Sequence, residues 1–331
     1  MRMRLLIPLA VLVFLSAPVL AGDGVWRLAF GSCSRADRPQ PFWDAVRALR
    51  PEVWCWAGDN IYADTTDMER MRALYAEQKA VPGYAALVSE ATTVVVGTWD
   101  DHDFGKNDAG REYPMRRESQ GALLDFLGEP ADSPRRAQEG VYGARTFGEA
   151  PRQVKVILLD TRYHRDPIGS NGTILGEPQW AWLERELTGS KAALHLVVSS
   201  IQVLAEEHRF EKWSNFPAER QRLLERIAST GVRGVVFLSG DRHHSEIARL
   251  DPGEGNPVRY PLFDVTSSSL THPRKPAGEP NRFRVAGPLH ERNFGLVEVE
   301  WATGKVRFAM RGVDGGELLA VETTLSDLGP R

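Results

Sequence analysis

The chain has 331 residues, 42% hydrophobic and 26% charged, with a formal net charge of −3 and only two cysteines. That mixed, slightly acidic balance gives no reason to expect binding to nucleic acid or a membrane surface, and the pairs Arg116-Arg117 and Arg135-Arg136 read as solvated surface. The length suits one large α/β domain or two small ones.

The opening MRMRLLIPLAVLVFLSAPVLA joins Arg2 and Arg4 to an apolar stretch from Leu5 and a small-residue end at Val19-Leu20-Ala21. This is the pattern of a secretory signal peptide over residues 1–21, cleaved to leave a domain over residues 22–331. The alternative is a membrane anchor, but the apolar core is short for one and is broken by Pro8 and Pro18. No later stretch is long enough to span a bilayer, so a periplasmic or secreted protein is expected.

Strand Trp26–Phe30 is followed by a helix in PFWDAVRALR, with Pro41 near its first turn. Strand Val53–Ala57 comes next, then a helix Asp67–Lys79 capped by Thr65, Thr66 or Asp67. Strand Thr93–Thr98 leads into a DDHD loop, and MRRESQGALLDFLG reads as a helix ending at Gly128. Strand Gln153–Leu159, a helix in GEPQWAWLEREL, strand Leu194–Val198, helix Ala218–Ser229 and strand Val235–Leu238 continue the alternation. From Ser245 only strands follow: SEIARL, YPLFDVTS, FGLVEVEW, KVRFAMRG and ELLAVETT. The pattern predicts an α/β fold of mixed sheets with helices outside and a β-rich C-terminal portion packed on the first half. Around these elements, Arg111–Gly140, Ala205–Phe216 and His272–His290 read as loops that shape access to a site.

Five apolar runs stop on residues able to bind a metal or a phosphate. VWCWAGDN ends on Asp59 and Asn60, and TVVVGTWDDHD on Asp100, Asp101, His102 and Asp103. VKVILLDTR ends on Asp160 and Arg162, LHLVVSSIQ on Ser199, Ser200 and Gln202, and GVVFLSGDRHH on Asp241, His243 and His244. Continuous short apolar runs are strands buried on both faces, and ligand crevices of open α/β sheets lie at the carboxyl ends of such strands. One aspartate at a strand end is usually a turn or helix cap; several, with His and Cys beside them, point to a metal-assisted active site.

Cys33, in AFGSCS, sits at the end of the first strand, whereas Cys55 lies inside VWCWAGD, where a thiol acts as a small hydrophobe. A disulfide between them is the alternative. With Asp59, Tyr62 and His243, Cys33 forms a thiolate, carboxylate, phenolate and imidazole set. Only a strongly charged ion draws a tyrosine of pKa about 10 into its phenolate form. Ferric iron fits this set best, with zinc the alternative if Tyr62 is instead a core aromatic. Asp101, Asn107 and Asp241 offer mainly oxygen and suit calcium, magnesium or manganese, and Asp59 is placed to bridge both ions. Such a pair activates water and clamps phosphate oxygens. His102, among carboxylates, is expected to stay protonated and to serve as the acid for a leaving group. Arg162 is read either as a phosphate contact or as an internal partner of Asp160, and His244 as a core or supporting histidine.

GSCS, GDNIYAD, WDDHDFGKND, LDTR, WLERELTGS, SSIQV and LSGDRHHSE, in this order and spacing, resemble the alkaline phosphatase D (PhoD-like) family of calcineurin-like metallophosphoesterases. The resemblance runs from roughly Leu28 to Trp301. It implies a four-layer α/β/β/α sandwich of two mixed sheets and hydrolysis of small-molecule phosphate mono- and diesters at a site of iron and calcium. Cys33, Asp59, Tyr62 and His243 match the iron positions, and Asp101, Asn107 and Asp241 fall at or near the calcium positions. The leader lacks adjacent arginines, so it resembles a general secretory signal and not the twin-arginine type. On that reading the metal is acquired after export.

Overall fold

The computed structural model describes residues 24–329 apart from positions 254 and 277, so the leader reading over residues 1–21 lies outside the described residues. In chain order the first elements are β1 (Val25–Gly31), α1 (Phe42–Leu49), β2 (Val53–Ala57), α2 (Met68–Lys79) and α3 (Pro82–Ser89). Then come β3 (Val94–Thr98), the single turn α4 (Asp101–Phe104), α5 (Arg116–Phe126), α6 (Pro134–Ala137), β4 (Gly143–Phe147) and β5 (Val154–Leu158). They are followed by α7 (Gly176–Leu187), β6 (Leu194–Val198), a 3-10 turn at Trp213–Asn215, α8 (Pro217–Thr230) and β7 (Val235–Ser239). The chain closes with β8 (Ser245–Leu250), β9 (Leu262–Ser267), β10 (Arg284–Leu289), β11 (Asn293–Glu300), β12 (Lys305–Gly312) and β13 (Glu317–Thr324).

These strands build two mixed sheets, ordered β13-β12-β11-β1-β2-β3 and β10-β8-β9-β7-β6-β5-β4. β1, β2 and β3 are parallel, as are β5, β6, β7 and β9, so their carboxyl ends gather on one side of each sheet. β2 illustrates the two-residue period. Val53, Cys55 and Ala57 face the core between the sheets, where Val156, Leu196, Leu238 and Val265 meet them from the second sheet. Trp54 and Trp56 face outward into a helix-covered cluster with Trp43 of α1 and Tyr84 of α3. Trp43 lies 4.7 Å from Trp54, and Trp54 stands edge-on to Trp56 at 5.3 Å. Such pairs add about 0.5–1.5 kcal/mol each beyond burial. Trp180 and Leu183 of α7 and Leu224 and Ile227 of α8 cover the other outer face, completing a four-layer α/β/β/α sandwich.

Most expected boundaries are observed to within a residue or two, and Asp67 is the cap of α2, accepting from the amides of Glu69 at 2.9 Å and Arg70 at 3.2 Å. The differences have physical causes. α4 replaces the expected DDHD loop, because the capping box between Asp100 and Asp103 closes a helical turn there. α3, α6 and β4 are too short or too weakly periodic to be read locally. β10 falls in the segment expected to be loop: it is an edge strand whose register against β8 shifts twice, with Gly287 and Pro288 in it. The C-terminal strands do not form a separate layer. β11 pairs antiparallel with β1 and carries β12 and β13 outward to extend the first sheet. Among the described residues, no helix is long and apolar enough to cross a membrane.

Candidate metal centre

The turns after β1, β2, β3 and β7 bring Cys33, Asp59, Tyr62, Asp101, Asp241 and His243 together. Four of them hold a left-handed backbone despite carrying a side chain: Cys33 at φ 59°, Asp59 at 50°, Asp241 at 65° and His243 at 54°. Each such residue costs on the order of 1–3 kcal/mol, and strain of this kind gathers where side chains must be aimed. Two glycines let the turns close up. A Cβ on Gly58 (φ 96°) would meet Asp100 Cβ at 2.7 Å, and one on Gly240 would meet Ser32 Cβ at 2.6 Å.

Cys33, Asp59, Tyr62 and His243 converge. Asp59 Oδ2 lies 3.5 Å from Cys33 Sγ and accepts from the Tyr62 hydroxyl at 3.3 Å, and that hydroxyl is 3.5 Å from His243 Nε2. His243 Nδ1 is 3.1 Å from the His272 carbonyl, which can only accept, so Nδ1 carries the proton and Nε2 presents a lone pair. Ser268, after β9, braces the group: its hydroxyl is 3.1 Å from Cys33 Sγ and accepts from the His243 amide at 2.7 Å. Burial, then the charges of Asp101, Asp103 and Asp241, push Asp59 well above the usual carboxylate range. Burial and the Asp59 charge do the same to the Cys33 thiol and the Tyr62 hydroxyl. Asp59 Oδ1 is buried with no hydrogen-bond partner. Three acidic groups packed together with an orphaned oxygen are the donor set a cation would satisfy, so the residues fit a bound metal.

A second carboxylate group adjoins the first. Oxygens of Asp59 and Asp101 and a ring nitrogen of His102 lie within 4.8 Å of one another, as do oxygens of Asp101, Asp108 and Glu211. Burial disfavours the Asp101 charge, but Arg162, His102 and the Asp108 amide outweigh it and hold its pKa below the usual value. Asn107 is exposed on the turn after α4, beside Asp108. Asp241 accepts from Arg242 Nη1 through Oδ2 at 3.1 Å.

His102 packs on Tyr62 with ring centroids 4.2 Å apart and planes tilted by 33°, and its Nδ1 donates to Asp64 at 2.7 Å. Burial would lower its pKa; the Asp64 hydrogen bond and the charges of Asp101, Asp64 and Asp100 overcome that and lift it to about 9. Arg162 is fully buried and pairs with Asp100 and Glu211, not with Asp160. The Asp160 carboxylate instead caps its own turn, accepting from the amides of Arg162 and Tyr163 at 2.9 Å and of Val141 at 2.8 Å. Asp103 is also structural, accepting from the amides of Asp59 and Asn60 at 3.2 Å. Ser200 donates to Asp100 at 2.8 Å and Gln202 to Glu246 at 2.8 Å, and His244 is buried against Glu246 at 3.4 Å. Sequence reasoning missed Asp64, Asp108, Glu211 and Ser268. Asp64 and Asp108 were open to inspection, each within two residues of a candidate ligand. Glu211 and Ser268 carry no local signal.

A family model described as PhoD-like phosphatase matches residues 28–286. Alkaline phosphatase D of Bacillus subtilis (strain 168) is 27% identical over 210 residues, 53% of this chain; the matched stretch spans only 34% of that relative's length. A solved structure of PhoD superposes with a TM-score of 0.72 at 18% identity, covering 93% of this chain and 72% of the other. The purple acid phosphatase PPD1 of yellow lupin (Lupinus luteus) superposes with a TM-score of 0.64 at 12% identity, covering 91% and 54%. These two likenesses agree with the four-layer fold, and the family match covers well over half of the sequence: the chain belongs to the PhoD-like phosphatase family.

Proposed function

We propose that this chain is an exported phosphoesterase that hydrolyses small-molecule phosphate monoesters, diesters or both at a two-metal centre. In this reading Cys33, Asp59, Tyr62 and His243 would hold ferric iron, and Asp101, Asn107 and Asp241 would hold calcium. The observation that carries the reading is Asp59, buried among Cys33, Tyr62, Asp101 and Asp241 with one oxygen unpartnered. The thiol and phenol favour iron at the first position, and the all-oxygen second position favours a hard ion. When bound, the ions would supply charge stabilisation on the phosphoryl oxygens and lower the pKa of an attacking water. His102, kept protonated and oriented by Asp64, donates to the leaving alcohol. Arg162 acts indirectly, holding Asp100 and Glu211 in place. Export rests on the leader sequence at residues 1–21.

The test is elemental content of the purified chain together with hydrolysis of an aryl phosphate monoester and its diester, before and after chelation. Bound metal and activity that disappears with the chelator and returns with added ions are expected. A metal-free chain that no ion activates on either ester would overturn the proposal.

A further inference from the structure

Arg242 stands between Asp241 and His243, yet its side chain is only 2% exposed. Its guanidinium has three partners. Nη1 donates to Asp241 Oδ2 at 3.1 Å, and Nη2 donates to both oxygens of Glu279 at 2.8 Å, with Nε 3.3 Å from Glu279 Oε2. The ring of Phe210 lies 4.0 Å from the guanidinium carbon. Phe210 belongs to the segment between β6 and α8, and Glu279 to that between β9 and β10, so two distant loops meet on one cation. The backbone ties the same turn down, since the Arg274 amide donates to the His243 carbonyl at 2.7 Å.

Asp241 needs such a hold. Its charge opposes that of Asp59, and a half-buried carboxylate in a left-handed turn is free to rotate away from that repulsion. Arg242 occupies Oδ2 and leaves Oδ1 free of it. The positive charge of Arg242 is in turn matched by Glu279, whose carboxylate also lies 3.7 Å from Arg274 Nη1 and 3.9 Å from His244 Nδ1. A buried guanidinium without Glu279 would be stranded, or would close fully onto Asp241 and take both its oxygens.

We infer that Arg242 and Glu279 are positioning residues for the metal position served by Asp241: Glu279 aims Arg242, and Arg242 aims Asp241. The inference rests on the two-metal reading above. Partners that orient a ligand are typically worth about 10–100-fold in metal affinity.

The experiment uses the full mature chain, with calcium binding followed by calorimetry (magnesium and manganese in parallel), calcium-dependent hydrolysis of an aryl phosphate, and thermal unfolding in chelator. Arg242→Leu and Glu279→Leu should each weaken calcium binding by about 10–100-fold while leaving KM for the ester near its original value at saturating calcium. Both should also lower the melting temperature, because each breaks a buried ion pair from one side, leaving Arg242 with Asp241 alone or Glu279 with the more distant Arg274 at 3.7 Å. The double variant puts an apolar pair in place of the ion pair and should recover melting temperature but not calcium affinity. Affinity that returns with stability in the double variant, or that never changed in the single ones, would overturn the inference and leave the metal centre standing. A parent chain that binds none of the three ions would remove the metal centre itself, and this inference with it.

Discussion

Removing the Arg162 guanidinium separates a phosphate-contacting arginine from an internal one. The side chain has no exposed surface and faces Asp100, also unexposed, and Glu211, 2.6 Å from Nη1. Arg162→Met leaves two carboxylates in a low-dielectric interior with one neighbour fewer, a change that costs about 3–5 kcal/mol in buried pairs. With a urea m-value of about 3 kcal/mol per M, the unfolding midpoint should fall by about 1–1.7 M. The loss should also depend on pH. Burial already raises the pKa of Asp100 and Glu211, and losing Arg162 raises both further. A carboxylate whose folded pKa exceeds its unfolded value loses stability as pH rises above that unfolded value. The deficit of the variant should therefore be larger at pH 8 than at pH 5. Arg162→Lys, which keeps the charge but not the fork, should fall between the two. Midpoints within about 0.3 M of the parent at both pH values, together with a raised KM for substrate, would refute the internal role and restore the phosphate contact.

Cys33 and Cys55 are both buried and free, so denatured, metal-free protein should titrate two thiols. Cys33→Ser should abolish most activity and any thiolate-to-iron colour, whereas Cys55→Ser should keep kcat and cost about 1–3 kcal/mol for burying a hydroxyl; equal destabilisation by both would argue against these separate roles. His102→Ala should slow alkyl esters about 10²–10⁴-fold and activated aryl esters far less, and equal losses on both would move His102 out of the proton-donating role. His195 sits at the start of β6, with Nδ1 2.7 Å from the Arg233 carbonyl and Nε2 2.7 Å from Ser190 Oγ. Burial pulls its pKa from 6.5 down to about 4. Between those values only the unfolded chain takes up the proton, so its share of stability, whole above pH 6.5, falls by about 3 kcal/mol as pH drops toward 4. His195→Gln should flatten that part of the stability–pH curve; an unchanged slope would show that other groups dominate it.

The strand ends were legible because a strand covered on both faces needs an unbroken apolar run, and the run must stop where the chain turns into the crevice. Val53–Ala57 was therefore bounded to the residue, and Cys33, Asp59, Tyr62 and His243 were named from residue type and place alone. The α/β class followed from the same alternation, and the ordered motifs pointed to the family. What the sequence left open was settled by contacts between residues far apart in the chain. Arg162 found Asp100 62 positions away and not Asp160 two positions away, His102 found Asp64 38 positions away, and Cys33 found Ser268 235 positions away. The choice of β11, not a new layer, as the partner of β1 is of the same kind. Periodicity and capping record the interaction of a residue with its own turn of chain. A carboxylate's partner in the interior is set by which two loops the sheets bring face to face, and that is a property of the packed fold.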